Sequence, residues 1–424
     1  MLFVVAVSTI YTIALKGIQF RFFFRAWREA LTPAKAKTSG DMTPVQAFLN
    51  TLNMGIGNGS LAGVGTAIYA GGPGSAFWIL FFGFILMSIR FAEVYISTLY
   101  GSRVKATSSA SIGGPMLYLR NIYGGQFLAF MYASACVFFG LAVGNAIQAN
   151  SVALSLSATW GIDKLYVAVG VVIFVAYILM GGAQRIVKVS EKIVPIKVIV
   201  FFSASLAIIC YHYQAIIPAL YLIITNAFSS HALAGGAAGF AVQQAIRYGM
   251  NRSIMATESG LGTAAILFGF TGENDSMHNG LMGMLTTFIS SLVCFLVALC
   301  IIVSGVWNNG LTSTELTIAS FNTVFGVYGG WIVSFLAITF GIGVLVTYAY
   351  IVRAAWLYLT GGHLVHLFTI AYCAASFFGA LADPNAIFDL GDIPLALLLF
   401  INLSGLLILL PRIRKDIVTA IAQE

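Results

Sequence analysis

The chain has 424 residues, 59% of them apolar and only 8% charged, with 21 Lys and Arg against 14 Asp and Glu. A soluble domain carries about 25% charged residues, so this composition supplies no adequate polar shell for water and excludes a soluble enzyme. Long unbroken apolar runs disfavour a barrel of short alternating strands, and the dispersed basic residues leave no nucleic-acid footprint.

In chain order, the apolar run from Leu2 to Leu15 has no basic residue before it, unlike a signal peptide, and is read as a retained first helix over 2–22. Further spans are expected at 45–70, 75–100, 127–157, 164–182 and 193–213, and then at 240–271, 280–304, 331–359, 363–382 and 393–410. The expected fold class is an all-α integral membrane protein of about 11 transmembrane helices. It forms one domain over 1–424, with an extra helix (2–22), a first repeat (45–213) and a second repeat (240–410). Five helices per repeat is an odd number, so the two repeats would have inverted topology.

Basic residues collect in alternate loops. Lys16, Arg21, Arg25, Arg28, Lys35 and Lys37 follow the first span, Arg103, Lys105 and Arg120 the third, Arg185, Lys188 and Lys192 the fifth, and Arg412, Arg414 and Lys415 the last. The opposite loops contain no Lys or Arg apart from Lys164 at an edge, which predicts an outer N-terminus and a cytoplasmic C-terminus in a cell (inner) membrane. Asp383, Asp389 and Asp392 read as a solvated outer face, residues 215–228 as an amphipathic helix at the outer interface, and 311–325 as its counterpart. The five cysteines lie in apolar stretches without metal-ligand spacing and read as buried thiols.

Two spans are interrupted at matching positions, each at the start of a five-helix run. One carries Thr51-Leu-Asn-Met-Gly-Ile-Gly-Asn-Gly-Ser-Leu-Ala-Gly-Val-Gly65, and the other Arg247-Tyr-Gly-Met-Asn-Arg-Ser-Ile-Met-Ala-Thr-Glu-Ser-Gly-Leu-Gly-Thr263. Unwound backbone is tolerated in a bilayer where it lines a cavity, so matched breaks point to a transporter site. The plainer reading is close packing, since Gly55, Gly59 and Gly63 recur every four residues. Packing, however, does not require Asn53, Asn58, Thr257 and Glu258 within the same segments. A carboxylate near a helix centre costs on the order of 2.5–3.5 kcal/mol, so Glu258 should face a cavity or a partner such as Arg252.

Half-helix amides suit a carboxylate, whereas half-helix carbonyls suit Na⁺ or an ammonium. A small amino acid can bridge both, although small anions and other polar solutes stay open. In the fourth span, Gly144-Asn-Ala-Ile-Gln-Ala-Asn-Ser151 puts Gly144, Gln148 and Ser151 on one face, either as interhelical glue or as a cavity wall.

Residues 55–68, the run Gly71-Gly-Pro-Gly-Ser-Ala-Phe-Trp78 and the ordered motifs Gly113-Gly-Pro-Met-Leu-Tyr118, Gly144 to Asn150, Gly181-Gly-Ala-Gln-Arg-Ile186, Glu191-Lys-Ile-Val-Pro195 and Glu258 to Ala264 resemble the alanine-or-glycine:cation symporter family. The resemblance covers roughly residues 15 to 300 well and the last hundred loosely. It implies a leucine-transporter-like fold of two inverted five-helix repeats that takes up alanine or glycine with Na⁺. On that likeness, Gly55, Ile56, Gly57, Asn58, Gly144, Gln148, Thr257, Glu258 and Gly260 would bind substrate, and Asn53, Met54, Asn58 and Thr339 would hold Na⁺.

The chain departs from the family pattern at Ile56, at Ala256-Thr-Glu-Ser-Gly260, and at Ser290, where an acidic residue is usual. In the ninth span Gly341-Ile-Gly343 replaces an expected hydroxyl pair and leaves Thr339 as the nearest hydroxyl. The same fold coupled to H⁺ through Glu258 or a histidine is the alternative; His363 and His366 sit at an inner helix end, where solvated histidines are ordinary. An intramembrane enzyme would need a nucleophile with a base, paired aspartates or a metal cluster, and a channel would need a filter repeat; neither pattern is visible. No cofactor is expected beyond the coupling ion. The expected partners are a small amino acid and the bilayer, with neither nucleic acid nor an obligatory protein partner.

Overall fold

The computed structural model describes residues 2–32, 42–105, 113–228, 237–271 and 275–422. Of the charged loop residues, Lys35, Lys37 and the side chains of Arg103, Lys105 and Asp389 lie outside the described residues. All regular elements among the described residues are helical.

The first span is shorter than expected. Helix α1 (Leu2–Ala14) ends where Lys16 and Gly17 turn left-handed, and α2 (Ile18–Arg21) and α3 (Phe23–Leu31) follow as separate pieces. Thirteen residues rise only about 20 Å. Helix α4 (Pro44–Gly55) begins at a reciprocal cap: Thr43 Oγ1 accepts from the Gln46 amide at 3.2 Å, and Gln46 Oε1 accepts from the Thr43 amide at 2.9 Å. A non-helical stretch and a π-helical turn, Gly59–Gly63, separate α4 from α5 (Val64–Gly71). Next come α6 (Gly74–Lys105), α7 (Pro115–Leu119), α8 (Gly125–Phe139), a second π turn at Gly140–Ala146, α9 (Ile147–Trp160), α10 (Lys164–Met180), α11 (Gly182–Tyr211) and α12 (Ile216–Ala227). The second broken span appears as α13 (Ala237–Thr257) and α14 (Thr263–Gly269). The chain ends with α15 (Ser276–Val303), α16 (Ser313–Phe325), α17 (Val327–Leu359), α18 (Val365–Leu381) and α19 (Pro384–Ala422).

Among the described residues, six helices are long and apolar enough to cross a membrane, and four shorter apolar helices accompany them. Three further differences from the sequence reading have local causes. The expected loop at 183–192 is helical, because after left-handed Gly182 no residue interrupts α11 until Pro195, which the helix absorbs. Helix α19 likewise takes in Pro394, Pro411 and most of the expected outer loop. Helix α16 does not lie free at an interface. It buries Leu316 and Phe321 and packs on the first π turn and on α17, and Thr317 Oγ1 donates to the Leu61 carbonyl at 3.1 Å.

Helix α6 is the central post, packed against α1, α13, α14 and α15. Around it, α4 lies against α14 and α5 against α13, so the two broken helices run antiparallel with their breaks side by side.

Candidate functional site

The first break is an opened turn whose carbonyls are held from a distant helix. Ile56 leaves the helical region with φ −98° and ψ 72°, and Lys197 Nζ of α11 donates to the carbonyls of Asn53 at 3.0 Å and Ile56 at 2.8 Å. Asn53 is fully buried, and its Nδ2 donates to Ser190 Oγ at 2.9 Å, the Gly343 carbonyl at 2.8 Å and Thr347 Oγ1 at 3.2 Å. The carbonyls of Gly57 and Asn58 already enter the next turn, through the amides of Ser60, Leu61 and Ala62. The amides of Gly57 and Asn58 have no hydrogen-bond partner among the described residues. Two adjacent free amides at the start of a helical turn suit an anionic group.

The second break is secured by side chains from four helices. Glu258 adopts φ 52°, while Gly260 and Gly262 adopt φ 97° and 80°, a left-handed run that favours glycine. Tyr132 Oη donates to the Leu261 carbonyl at 2.7 Å, and Asn402 Nδ2 donates to the Gly260 carbonyl at 2.8 Å. Arg90 donates to the Thr257 carbonyl. Glu93 Oε1 accepts from the Gly262 amide at 3.0 Å and from Asn402 at 2.6 Å, and Glu93 Oε2 faces Arg90 Nη1 at 3.5 Å. Nearly every backbone group released by unwinding is therefore met by protein, as a segment shielded from water requires. The Glu258 carboxylate points to the other side, where Oε2 accepts from Tyr348 Oη at 2.7 Å and Thr263 Oγ1 at 3.0 Å.

Between the breaks lies a cavity of about 980 Å³, bounded by α4, α9, α13, α16, α17 and the first π turn. Among the sequence-predicted residues it brings together Met54, Gly55, Gly57, Asn58, Gln148 and Glu258. Asn58 Oδ1 is buried without a partner, and its Nδ2 reaches Gln148 Oε1 at 3.5 Å, long for a hydrogen bond. Both groups keep capacity for a ligand.

The other predicted residues stand outside that wall. Ile56 is wholly buried, and Asn53 lies behind it in the network just described. Gly144 acts at one remove, because a Cβ there would meet the Tyr348 ring whose hydroxyl holds Glu258. Thr257 and Gly260 present carbonyls to Arg90 and Asn402 rather than to the cavity. Thr339 Oγ1 donates to its own helix, to the carbonyls of Phe335 and Leu336 at 2.9 and 3.0 Å, and does not reach the first break. Its position in the chain makes it the nearest hydroxyl in sequence, but its helical phase turns it away. The polar run at 144–151 divides: Gln148 and Ser151 line the cavity, whereas Asn145 donates to the Tyr372 carbonyl at 2.8 Å, tying the second π turn to α18.

Sequence reasoning passes over Lys197, Arg90, Glu93, Tyr348 and Asn402. The first three carry a legible signal, a charge inside an expected span, which by default marks a site or a buried pair. Tyr348 and Asn402 are ordinary span residues whose roles appear only in three dimensions.

The sequence profile of the sodium:alanine symporter family matches residues 1–422. The chain belongs to that family. It is 30% identical over 408 residues to the sodium/alanine symporter AgcS of Methanococcus maripaludis, an overlap of 94% of this chain and 88% of that one. It is also 30% identical over 411 residues to the uncharacterized transporter YflA of Bacillus subtilis, covering 95% and 86% of the two chains. Among solved structures, a Na⁺-coupled sialic acid symporter in a substrate-bound outward-open state superposes with a TM-score of 0.58 at 13% identity, covering 94% of this chain and 86% of that one. A manganese transporter mutant from Eremococcus coleocola superposes with a TM-score of 0.56, also at 13% identity, over 89% and 83%. At that identity the likeness concerns the fold alone. As a member of the sodium:alanine symporter family, the protein is an integral membrane transporter and not an enzyme.

Proposed function

We propose that this symporter imports a small neutral amino acid of the alanine and glycine class by alternating access, with the cavity between the two breaks as its binding site. The observation that carries the reading is one wall presenting both kinds of partner that a zwitterion needs. The free amides of Gly57 and Asn58 suit the substrate carboxylate, and Asn58 Oδ1 with the Glu258 carboxylate suits the ammonium. Arg252 also lines the cavity, further along α13. The basic-residue bias makes the end bounded by α16 and Trp331 the outer one, with the N-terminus outside and the C-terminus in the cytoplasm. The antiparallel breaks support two inverted repeats, 45–213 and 240–410, that rock about the site.

Family membership supports Na⁺ as the coupling ion. A single observation favours the second reading, in which H⁺ replaces it: Lys197 already holds the carbonyls of the first break. A panel of labelled glycine, alanine, serine and larger amino acids, competed against one another in proteoliposomes, tests the cargo. Saturable uptake confined to the small neutral members is expected. Transport restricted to bulky or acidic substrates would exclude the reading.

A further inference from the structure

The family resemblance puts Na⁺ at the carbonyls of the first break, on Asn53, Met54, Asn58 and a hydroxyl from the ninth span, and the Asn53 carbonyl and that hydroxyl do not fit it. The Asn53 and Ile56 carbonyls both accept from Lys197 Nζ, which is fully buried. The facing helix α17 brings no hydroxyl at 341 or 343, and Thr339 is bonded within its own helix. The Gly343 carbonyl, Ser190 Oγ and Thr347 Oγ1 all accept from Asn53 Nδ2, and the two hydroxyls lie 3.2 Å from each other. A Na⁺ ion would have to displace Lys197 Nζ from those two carbonyls.

We propose that the Lys197 ammonium is a tethered cation standing in for that Na⁺, so that this symporter moves its amino acid without needing Na⁺ at the first break. Three features make the position suit an ammonium. The C-terminal carbonyls of α4 carry the negative end of the helix dipole. The Phe340 ring centroid lies 5.2 Å from Nζ, within cation–π range. Gly343 leaves the room required: a Cβ there would collide with Asn53 and come within 3.1 Å of Nζ. The loss of the ninth-span hydroxyls and the presence of the lysine are therefore complementary, one making space for the other.

No carboxylate among the described residues is in ion-pair reach of Lys197, and the titratable groups on the helices packed around α11 are engaged or placed elsewhere. On α17, Tyr348 bonds Glu258, and Arg353 lies about 15 Å along the helix from Gly343. On α15, Cys300 bonds the Ser205 carbonyl and His278 meets Glu29. Glu315 of α16 lines the cavity, Tyr166 and Tyr177 of α10 are exposed, and Glu191 on α11 itself accepts from Gln46 at 3.1 Å. With no counter-charge to neutralise it, the ammonium has the backbone carbonyls as its main ligands, as a bound metal cation would.

The proposal rests on the amino-acid carrier reading, and the test separates the two. Purified protein in proteoliposomes is assayed for labelled alanine uptake in Na⁺ and in choline at equal ionic strength, together with radiolabelled Na⁺ influx on adding alanine. Absence of alanine movement in every medium would refute the carrier reading itself. The proposal expects uptake rates within about twofold of each other in the two media and no alanine-dependent Na⁺ influx. A drop of tenfold or more in choline, or Na⁺ influx in step with alanine, would overturn it. Lys197→Met should lower uptake in choline at least tenfold, and uptake equal to wild type would also overturn it. The wild-type ion measurements decide the matter even if that variant fails to fold.

Discussion

The second break should be the most mutation-sensitive part of the molecule, and Glu93→Ala tests this directly. Glu93 and Arg90 are both fully buried, and the Glu93 carboxylate serves the Gly262 amide, Asn402 and the guanidinium together. Truncation leaves a buried cation without its counter-charge and removes an acceptor from two buried donors. Breaking a buried pair typically costs about 3–5 kcal/mol, whereas hydrogen bonds inside membrane bundles average about 0.6 kcal/mol each. The expected loss is therefore between about 2 and 5 kcal/mol. It can be read from unfolding in mixed detergent and SDS micelles followed by tryptophan fluorescence. Arg90→Ala and the double variant complete a cycle in which the double loss should fall short of the summed single losses by at least about 1 kcal/mol. A Glu93→Ala protein that unfolds within about 0.5 kcal/mol of wild type would refute the account of how the break is held.

Asn58→Ala removes the unpaired acceptor in the cavity and should raise KM for alanine about 10- to 100-fold, as loss of a hydrogen bond to a charged group predicts, with folded protein retained in size-exclusion chromatography. Gln148→Ala should do so more weakly, and unaltered uptake kinetics in both variants would refute this placement of the site. Gly57→Val should abolish uptake, since even a Cβ would come within 2.7 Å of Val344 Cγ2 and close the cavity wall; normal initial rates would contradict it. Helix α3 is held to α15 by Glu29, which sits 2.7 Å from His278 Nδ1 and 3.3 Å from Arg25 Nε. Burial raises the Glu29 carboxyl, but the His278 and Arg25 hydrogen bonds and charges outweigh it and hold it below the usual 4.5. A depressed folded-state value means that the contact contributes fully above about pH 4.5 and is lost as the pH falls through that lower value. Glu29→Gln should therefore flatten the acid limb of thermal stability in detergent, and an unchanged limb would show that the contact contributes nothing.

The breaks are legible in the sequence because their cause is local. Glycines weaken a helix and polar side chains are costly in lipid, so the two together inside an apolar span mark a place where the helix opens onto a cavity. Asn58, Gln148 and Glu258 stand out for the same reason, as polar residues the bilayer does not tolerate freely. Lys197, Arg90 and Glu93 are legible only as charges inside apolar spans, and which backbone groups the supports meet is not legible, since each depends on a pairing across the chain. Asn402 meets Gly260 and Lys197 meets Asn53 from more than 140 residues away. A single lysine in an apolar run carries no mark of whether it snorkels or points inward. Thr339 shows the converse failure: sequence proximity suggests a role that the helical phase of α17 denies. The position of α16 over the first π turn likewise follows from packing that an amphipathic pattern alone does not specify.

Counterflow tests the central claim most directly, because it requires the binding site and alternating access but no driving ion. Proteoliposomes loaded with unlabelled alanine and diluted into trace labelled alanine should accumulate label transiently above equilibrium, and the overshoot should shrink sharply in Asn58→Ala. An absence of overshoot with glycine, alanine and serine alike, from protein that is folded and reconstituted, would contradict it.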